Sequence, residues 1–420
     1  LVSSTTQKQA PQMKPELVYR PITPDEPIGP IARLAGLAFG HPESTNIEWF
    51  EKRIGRENIR ISTATDDPTP LGVVCRIPMG IYLGGNEIPQ LGILGVGVAP
   101  EARGLGVAKQ MMADCVQEMH ADGCPLSILY SAMHPLYRAV GYDNAGALCN
   151  AVIPAGMITA PKTNATNNWR EASEIDTPQI HACYARYAAQ THGMLARNGY
   201  IWQRIREPKI GTARCYVSRD EQGQIEAYCY YVQEKTEAQP APIGTAAGSR
   251  MHVTDLAWSS TNGFNQIRSF LRGFVSVVGE ILVNLPPDSP LIHTLPDRRF
   301  KLEFNEPWML RILNFKSALE ARSYPRGYNA TLTLDITDDQ IQANNGQWTV
   351  TITNGQATVS QGQSGDPLRI HIRDLAPLYT GFTSAQTLRD SGRLSCTDNT
   401  AETANAIFAA PSTPAMVDMF

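Results

Sequence analysis

The chain has 420 residues, 42% hydrophobic and 18% charged. That is apolar enough to bury sizeable cores, which excludes a largely disordered chain, and it is longer than the roughly 250–300 residues at which one core stops growing, so two to three domains are expected. With 36 Lys and Arg against 40 Asp and Glu, the formal charge is −4, and no global field draws the protein to nucleic acid or an anionic membrane.

No run approaches the ~20 apolar residues that span a bilayer. The longest candidate, 274–283, is interrupted by Gly279 and Glu280. Residues 1–16 read as a loose polar tail without the apolar stretch of a secretory leader. Eight cysteines are scattered singly, with no Cys-x-x-Cys pair and no zinc spacing, so the expectation is buried thiols in a reducing cytoplasm and no metal.

In chain order, a strand is expected over 18–22 and a helix from the Thr23-Pro24-Asp25 turn toward Phe39. Strands follow over 59–65, 71–83 and 88–98, the last two joined at Gly84-Gly85-Asn86. A helix over 104–120 places Val107, Met111, Cys115, Val116 and Met119 at helical spacing and stops at Gly123. Strand 126–132 and short helix 134–140 complete a first α/β region.

The polar stretch from Pro161 to Asn168 reads as a linker. A second α/β unit then repeats the order: helix 175–190, a strand pair over 214–231, strand 252–258 and helix 263–277. After Pro307 the composition shifts toward Thr, Asn, Gln and Gly. Strands at 328–336, 348–352, 357–359 and 368–372, with a hairpin at Asn354-Gly355, precede helices at 375–379, 384–391 and 401–408. This third region is expected to be α+β.

The chemistry concentrates in Val96-Gly97-Val98-Ala99-Pro100-Glu101-Ala102-Arg103-Gly104-Leu105-Gly106-Val107-Ala108-Lys109. A strand ends at a proline, a loop with two glycines follows, and a helix begins at once. The unpaired N–H groups and positive end of such a helix suit a pyrophosphate; Gly104 and Gly106 permit close backbone approach and Arg103 adds charge. An ordinary strand–turn–helix corner accounts for glycines alone, but the whole string gives each residue a separate geometric task.

This string resembles the R/Q-x-x-G-x-G/A motif of the GNAT acetyltransferases, through Arg103, Gly106 and Ala108. The resemblance implies acetyl-coenzyme A (acetyl-CoA) as co-substrate, lying between the strands that end near Val98 and Ala132. Val96, Gly97 and Val98 then line the pantetheine arm and Arg103, Gly104, Leu105, Gly106, Val107, Ala108 and Lys109 hold the phosphates, with Ala132 and Met133 on the second strand's side. Tyr137, in His134-Pro135-Leu136-Tyr137-Arg138-Ala139-Val140-Gly141-Tyr142, resembles the family tyrosine near the coenzyme sulfur, able to protonate the leaving thiolate. Tyr142 reads as structural.

Over nearly the whole length the chain resembles the three-domain enhanced intracellular survival type of N-acetyltransferase. The resemblance rests further on Gly193-Met194-Leu195-Ala196-Arg197 with Trp202, on Trp308-Met309-Leu310-Arg311-Ile312 with Ala318-Leu319-Glu320-Ala321-Arg322, and on Leu378-Tyr379-Thr380-Gly381 with Leu388 and Gly392-Arg393-Leu394. It implies two GNAT-type mixed-sheet domains, α/β, followed by a sterol-carrier-protein-like α+β domain. The divisions are a GNAT domain at 17–160, a degenerate GNAT-like domain at 161–306 and the sterol-carrier-like domain at 307–420. It also implies a homo-oligomer, a hexamer, and a returning C-terminus whose Phe420 α-carboxylate receives the amine proton.

Other candidates are weaker. His41 and His134 lack metal-ligand spacing, Ser131 lacks a G-x-S-x-G context, and Asp255 reads as a strand-end carboxylate. The acceptor is an amine: an aminoglycoside-like molecule, a small amine or a lysine. Met419 in the penultimate place and the weakly acidic segment 39–44 argue against a polycationic antibiotic. The alternative from another class is a regulatory protein that binds acetyl-CoA or an apolar ligand without catalysis.

Overall fold

The computed structural model describes residues 16–161, 168–235, 249–362 and 364–420. The expected loose tail up to Pro15 and residues 162–167 of the expected linker lie outside the described residues. The chain packs as two compact units. One runs through Ile77 and includes Ile93–Met119; the other comprises Pro78–Gly92 and His120–Phe420.

In the first unit, β1 (Leu17–Pro21) pairs antiparallel with β2 (Ile59–Ala64), which pairs with β3 (Pro70–Leu83). Helices α1 (Ile28–Phe39) and α2 (Glu43–Trp49) lie between β1 and β2, and α2 runs on as a π-helical turn, Phe50–Ile54, that was not expected. The strand β4 (Asn86–Val98) leads to α3 (Val107–Ala121). Met111, Cys115, Val116 and Met119 of α3 are fully buried, as their spacing predicts. The helix starts three residues later than expected. Gly104 and Gly106 take φ of +82° and +87°, which no α-helix accommodates.

After its Pro78–Gly92 segment, the second unit holds β5 (Leu126–Tyr130), α4 (His134–Arg138) and β6 (Asp143–Pro154). It continues through β7 (Arg170–Glu171), α5 (Thr177–Ala188), β8 (Leu195–Ala196), α6 (Gly199–Arg206), β9 (Arg214–Arg219), β10 (Ile225–Lys235) and β11 (Ser249–Trp258). Then come α7 (Thr261–Gly273), β12 (Glu280–Leu285), α8 (Pro290–His293) and β13 (Lys301–Ile312). Its large sheet runs β5-β13-β6-β12-β11-β10-β9-β7, while β8 pairs with the tip of β3, Gly80 opposite Ala196. Ile153, Met251, Ile267, Leu271 and Ile281 form part of its core. Each such buried side chain contributes about 1.5–3 kcal/mol.

After α9 (Phe315–Ala321), a five-stranded sheet forms from β14 (Ala330–Thr337), β15 (Gly346–Thr353), β16 (Gln356–Gln361), β17 (Pro367–His371) and β18 (Leu394–Ser395), ordered β16-β15-β14-β17-β18. Helices α10 (Ile372–Thr380), α11 (Ala385–Asp390) and α12 (Asp398–Ile407) accompany it. The hairpin at Asn354-Gly355 is present, with φ of +51° and +81°.

The sequence pattern did not announce β6, β12, β13 or α6. The case of β13 is instructive, because Pro307, expected as a boundary, lies inside the strand opposite Ala147. A proline removes a ladder donor and belongs at irregular positions. Here the register with β6 shifts on both sides of it, between Phe304 and Glu306 and between Trp308 and Met309. The strand is made by pairing with β5 and β6, not by local propensity. Among the described residues no helix is long and apolar enough to cross a membrane.

Candidate active site

The loop expected to hold the coenzyme belongs to the first unit. Ala102, Arg103 and Leu105 donate their N–H groups back to Ala99, Pro100 and Ala102, which winds the loop tightly. The first turn of α3 closes with Gln110 N–H on the Gly106 carbonyl, so the N–H groups of 107–109 head the helix without intrahelical acceptors. A Cβ at Gly104 or Gly106 would meet nothing within 4 Å, so this face of the loop stands open. Arg103 and Lys109 are exposed beside it. A compact cradle of backbone donors with two cations fits the diphosphate of coenzyme A.

Before the loop, Gly95 sits in β4 with φ of +63°, a left-handed residue that breaks the strand's regular run just before Val96, Gly97 and Val98. Sequence reasoning passed over Gly95; the glycine in an apolar strand was the available sign.

The other predicted residues belong to the second unit. Ala132 and Met133 are exposed, Met133 to 62%, and Met133 immediately precedes α4. Tyr137 is buried in α4, its ring edge-on to Tyr142 at 6.2 Å between centroids. Burial pushes its phenol up to about 12, so it holds its proton at neutral pH. Tyr142 is wholly buried and donates to Ser127 Oγ at 2.7 Å, a structural role as expected.

The C-terminal tail is held along its length. Ala147 N–H donates to the Pro414 carbonyl (3.1 Å), Ala415 N–H to His192 O (2.8 Å) and Met416 N–H to Ala147 O (3.2 Å). The Tyr130 hydroxyl faces the carbonyls of Met416 (3.3 Å) and Asp418 (3.0 Å), and Asn284 Nδ2 donates to Val417 O (3.2 Å). Gly146 is required there, because its Cβ would lie 2.5 Å from Trp308 Nε1 and 2.6 Å from the Pro414 carbonyl. The Phe420 ring packs edge-on to Tyr130 at 5.7 Å and lies against Gly92, whose Cβ would come within 2.9 Å of it.

One cluster was not anticipated as a unit. The Arg197 side chain, 1% exposed, forms a two-pronged ion pair with Asp255 (2.6 and 2.8 Å). The same guanidinium reaches Asp418 from Nε (2.9 Å) and Nη2 (2.8 Å). It lies 3.6 Å over the Tyr184 ring and 4.8 Å from that of Trp202. Tyr228 donates to Asp255 at 2.5 Å. Burial, aided by the negative charge of Asp255, pushes Asp418 above the usual carboxylate range against the opposing pull of Arg197. A lone acid in the apolar end Met416-Val417-Asp418-Met419-Phe420 was the sign that a buried cation awaited it.

The matches to known proteins agree with this architecture. Residues 18–145 match an acetyltransferase (GNAT) domain family, 193–312 a second acetyltransferase (GNAT) domain family, and 315–417 the sterol carrier protein domain. The chain is 25% identical over 323 residues to an uncharacterized N-acetyltransferase of Streptomyces avermitilis, covering 74% of this chain and 76% of that one. It is 22% identical over 330 residues to N-acetyltransferase Eis of Mycobacterium tuberculosis, with the same shares of 74% and 76%. Its backbone matches a GCN5-related N-acetyltransferase from Anabaena variabilis with a TM-score of 0.88 at 29% identity, covering 96% of this chain and 100% of the other. Eis1 from Mycobacterium abscessus shares the fold, with a TM-score of 0.79 at 17% identity and coverage of 96% and 100%.

Two GNAT domains make this an N-acetyltransferase of a superfamily that uses acetyl-CoA. The chain belongs to the three-domain enhanced intracellular survival type of that superfamily, in which a sterol-carrier-like domain follows the two GNAT domains.

Proposed function

We propose that the enzyme passes the acetyl group from acetyl-CoA directly to a primary amine, with Tyr137 and the Phe420 α-carboxylate handling the protons. The amine nitrogen attacks the thioester carbonyl and the C–S bond breaks. The amine proton passes to the terminal carboxylate, and the coenzyme thiolate takes the Tyr137 proton, which solvent then restores. An α-carboxyl with pKa near 3.5 is a weak base, so it orients the amine and accepts a proton made acidic as the tetrahedral intermediate forms.

The carrying observation is the tethered C-terminal segment, buried at Pro414, Ala415, Met416 and Asp418. A frayed end has no use for three backbone–backbone hydrogen bonds, side-chain partners on the Met416, Val417 and Asp418 carbonyls and a buried ion pair. Burial pushes Cys183 and Cys215 up to about 12 and Cys115 up to about 11, so these three are not reactive thiolates at neutral pH.

The acceptor we propose is a small or apolar amine or a lysine side chain. Asp418, the acid nearest the chain end, is 7% exposed and committed to Arg197, so it offers no charge to a polycation. The test is a mass-spectrometric screen of tyramine, Nα-acetyl-lysine methyl ester and kanamycin at two pH values. Acetylation of the first two above kanamycin is expected. Kanamycin acetylated fastest would overturn the acceptor class, and coenzyme binding with no product from any amine would overturn direct transfer. The proposed hexamer is checked by native mass spectrometry, where a monomer alone would remove it.

A further inference from the structure

We infer that Arg197, braced by Asp255, is a positioning residue that sets where the chain's last carboxylate stands, by gripping Asp418 two residues before it. This rests on the reading that the Phe420 carboxylate receives the amine proton.

The strand-like hold on the tail ends early. Backbone exchange with Ala147 and His192 covers Pro414, Ala415 and Met416, and the parallel bridge of the tail is at Ala415. Beyond it the chain has two anchors of another kind. Asp418 takes two bonds from Arg197, with the Tyr184 hydroxyl 3.4 Å away, and Arg204 Nε donates to the Met419 carbonyl (3.1 Å). Two extended residues span at most about 7 Å, so fixing Asp418 confines the terminus to a small volume. Met419 is 46% exposed and contributes no comparable side-chain hold.

Stability alone does not explain the arrangement. Asp255 already meets Arg197 with two hydrogen bonds and balances its charge. Bringing a second carboxylate onto that guanidinium adds desolvation and places two acids on one cation, which is why the Asp418 carboxyl is pushed upward. Buried titratable groups perturbed by desolvation and a specific charge partner concentrate at functional sites. Tyr184 and Trp202 fix the guanidinium plane from α5 and α6, and Tyr228 fixes Asp255, so the grip is supported from four elements.

The experiment compares the full-length enzyme with Asp418→Ala and Asp418→Asn, since removing Arg197 would strand Asp255 and risk misfolding. Each protein is treated with carboxypeptidase A, and release of Phe420 is timed alongside the thermal midpoint, coenzyme affinity, and kcat and KM with the fastest amine of the screen. Release from Asp418→Ala is expected to be at least tenfold faster, with Asp418→Asn between it and the unaltered enzyme. The midpoint and coenzyme affinity stay unchanged while kcat falls about tenfold. Unchanged release and kcat in Asp418→Ala would overturn the inference, as would a fall in the midpoint that accounts for the faster release.

A variant lacking Phe420 separates the two readings. If it retains full activity while Asp418→Ala frees the terminus, the carboxylate's chemical role fails and the grip stands. If it loses activity while Asp418→Ala changes nothing, the grip alone fails.

Discussion

Residues 103–109 and residues 414–420 manage charge in opposite ways. The loop presents backbone N–H groups and two exposed cations to an open face. The tail is buried at Pro414, Ala415, Met416 and Asp418, and the Asp418 side chain is met by a guanidinium 1% exposed and shared with Asp255. An open, solvated cradle suits a coenzyme that must enter and leave. A dry, fully bonded clamp suits a chain end that must not move. The loop is built from neighbours in sequence, whereas the clamp joins residues up to 221 apart in sequence, as Arg197 and Asp418 are.

Changes placed on either side of this comparison should separate binding from proton handling. The largest effect is expected from Tyr137→Phe, which removes the proposed proton donor to the thiolate: kcat should fall about 10²–10³-fold. Calorimetry should show unchanged acetyl-CoA affinity, and full turnover would take Tyr137 out of the mechanism.

The next effect concerns the tail's support. His192 is buried, donates from Nδ1 to the Thr380 carbonyl at 3.0 Å and accepts Ala415 N–H on its own carbonyl. Burial, with a smaller push from Arg322, lowers its pKa to about 4, against about 6.5 unfolded. The unfolded state therefore binds the extra proton between these values. Stability is whole above pH 6.5 and declines toward pH 4, by about 3 kcal/mol for this group. Thermal unfolding against pH should show that decline reduced in His192→Gln; identical slopes would refute the assignment.

Gly146→Ala should cost about 1–3 kcal/mol by forcing Trp308 or the tail carbonyl aside. The unfolding midpoint reads the loss, and an unshifted midpoint would mean that the tail yields freely. Smallest is Gly106→Ala, where a side chain must adopt φ of +87°. The left-handed strain is about 1–2 kcal/mol, so KM for acetyl-CoA should rise about tenfold with kcat nearly constant. A reversed pattern, kcat lowered and KM unchanged, would place the loop in chemistry instead of binding.

Most elements with a clean period or a turn motif were legible. The α3 face, the β15–β16 hairpin and the helices near Leu375 and Ala401 appear close to their expected places. Elements without such patterning were missed. The polar stretch before Trp308 became β13 because β5 and β6 supply its partners, and α6 emerged behind an Asn198 cap whose side chain accepts from Ile201 N–H at 3.1 Å. Asp255, read as a strand-end acid, proved to be one arm of the clamp on Arg197.

By itself the sequence determined what depends on adjacent residues: the glycine-rich loop, the helix it opens, and the family to which that string points. Backbone dihedrals and helix ends are local, and a few neighbouring residues specify them. Only the tertiary structure decided that Arg197, Asp255 and Asp418 form one buried group and that Pro414, Ala415 and Met416 are buried with them. Those outcomes follow from desolvation and long-range pairing, and burial becomes known only when distant segments close around the charge.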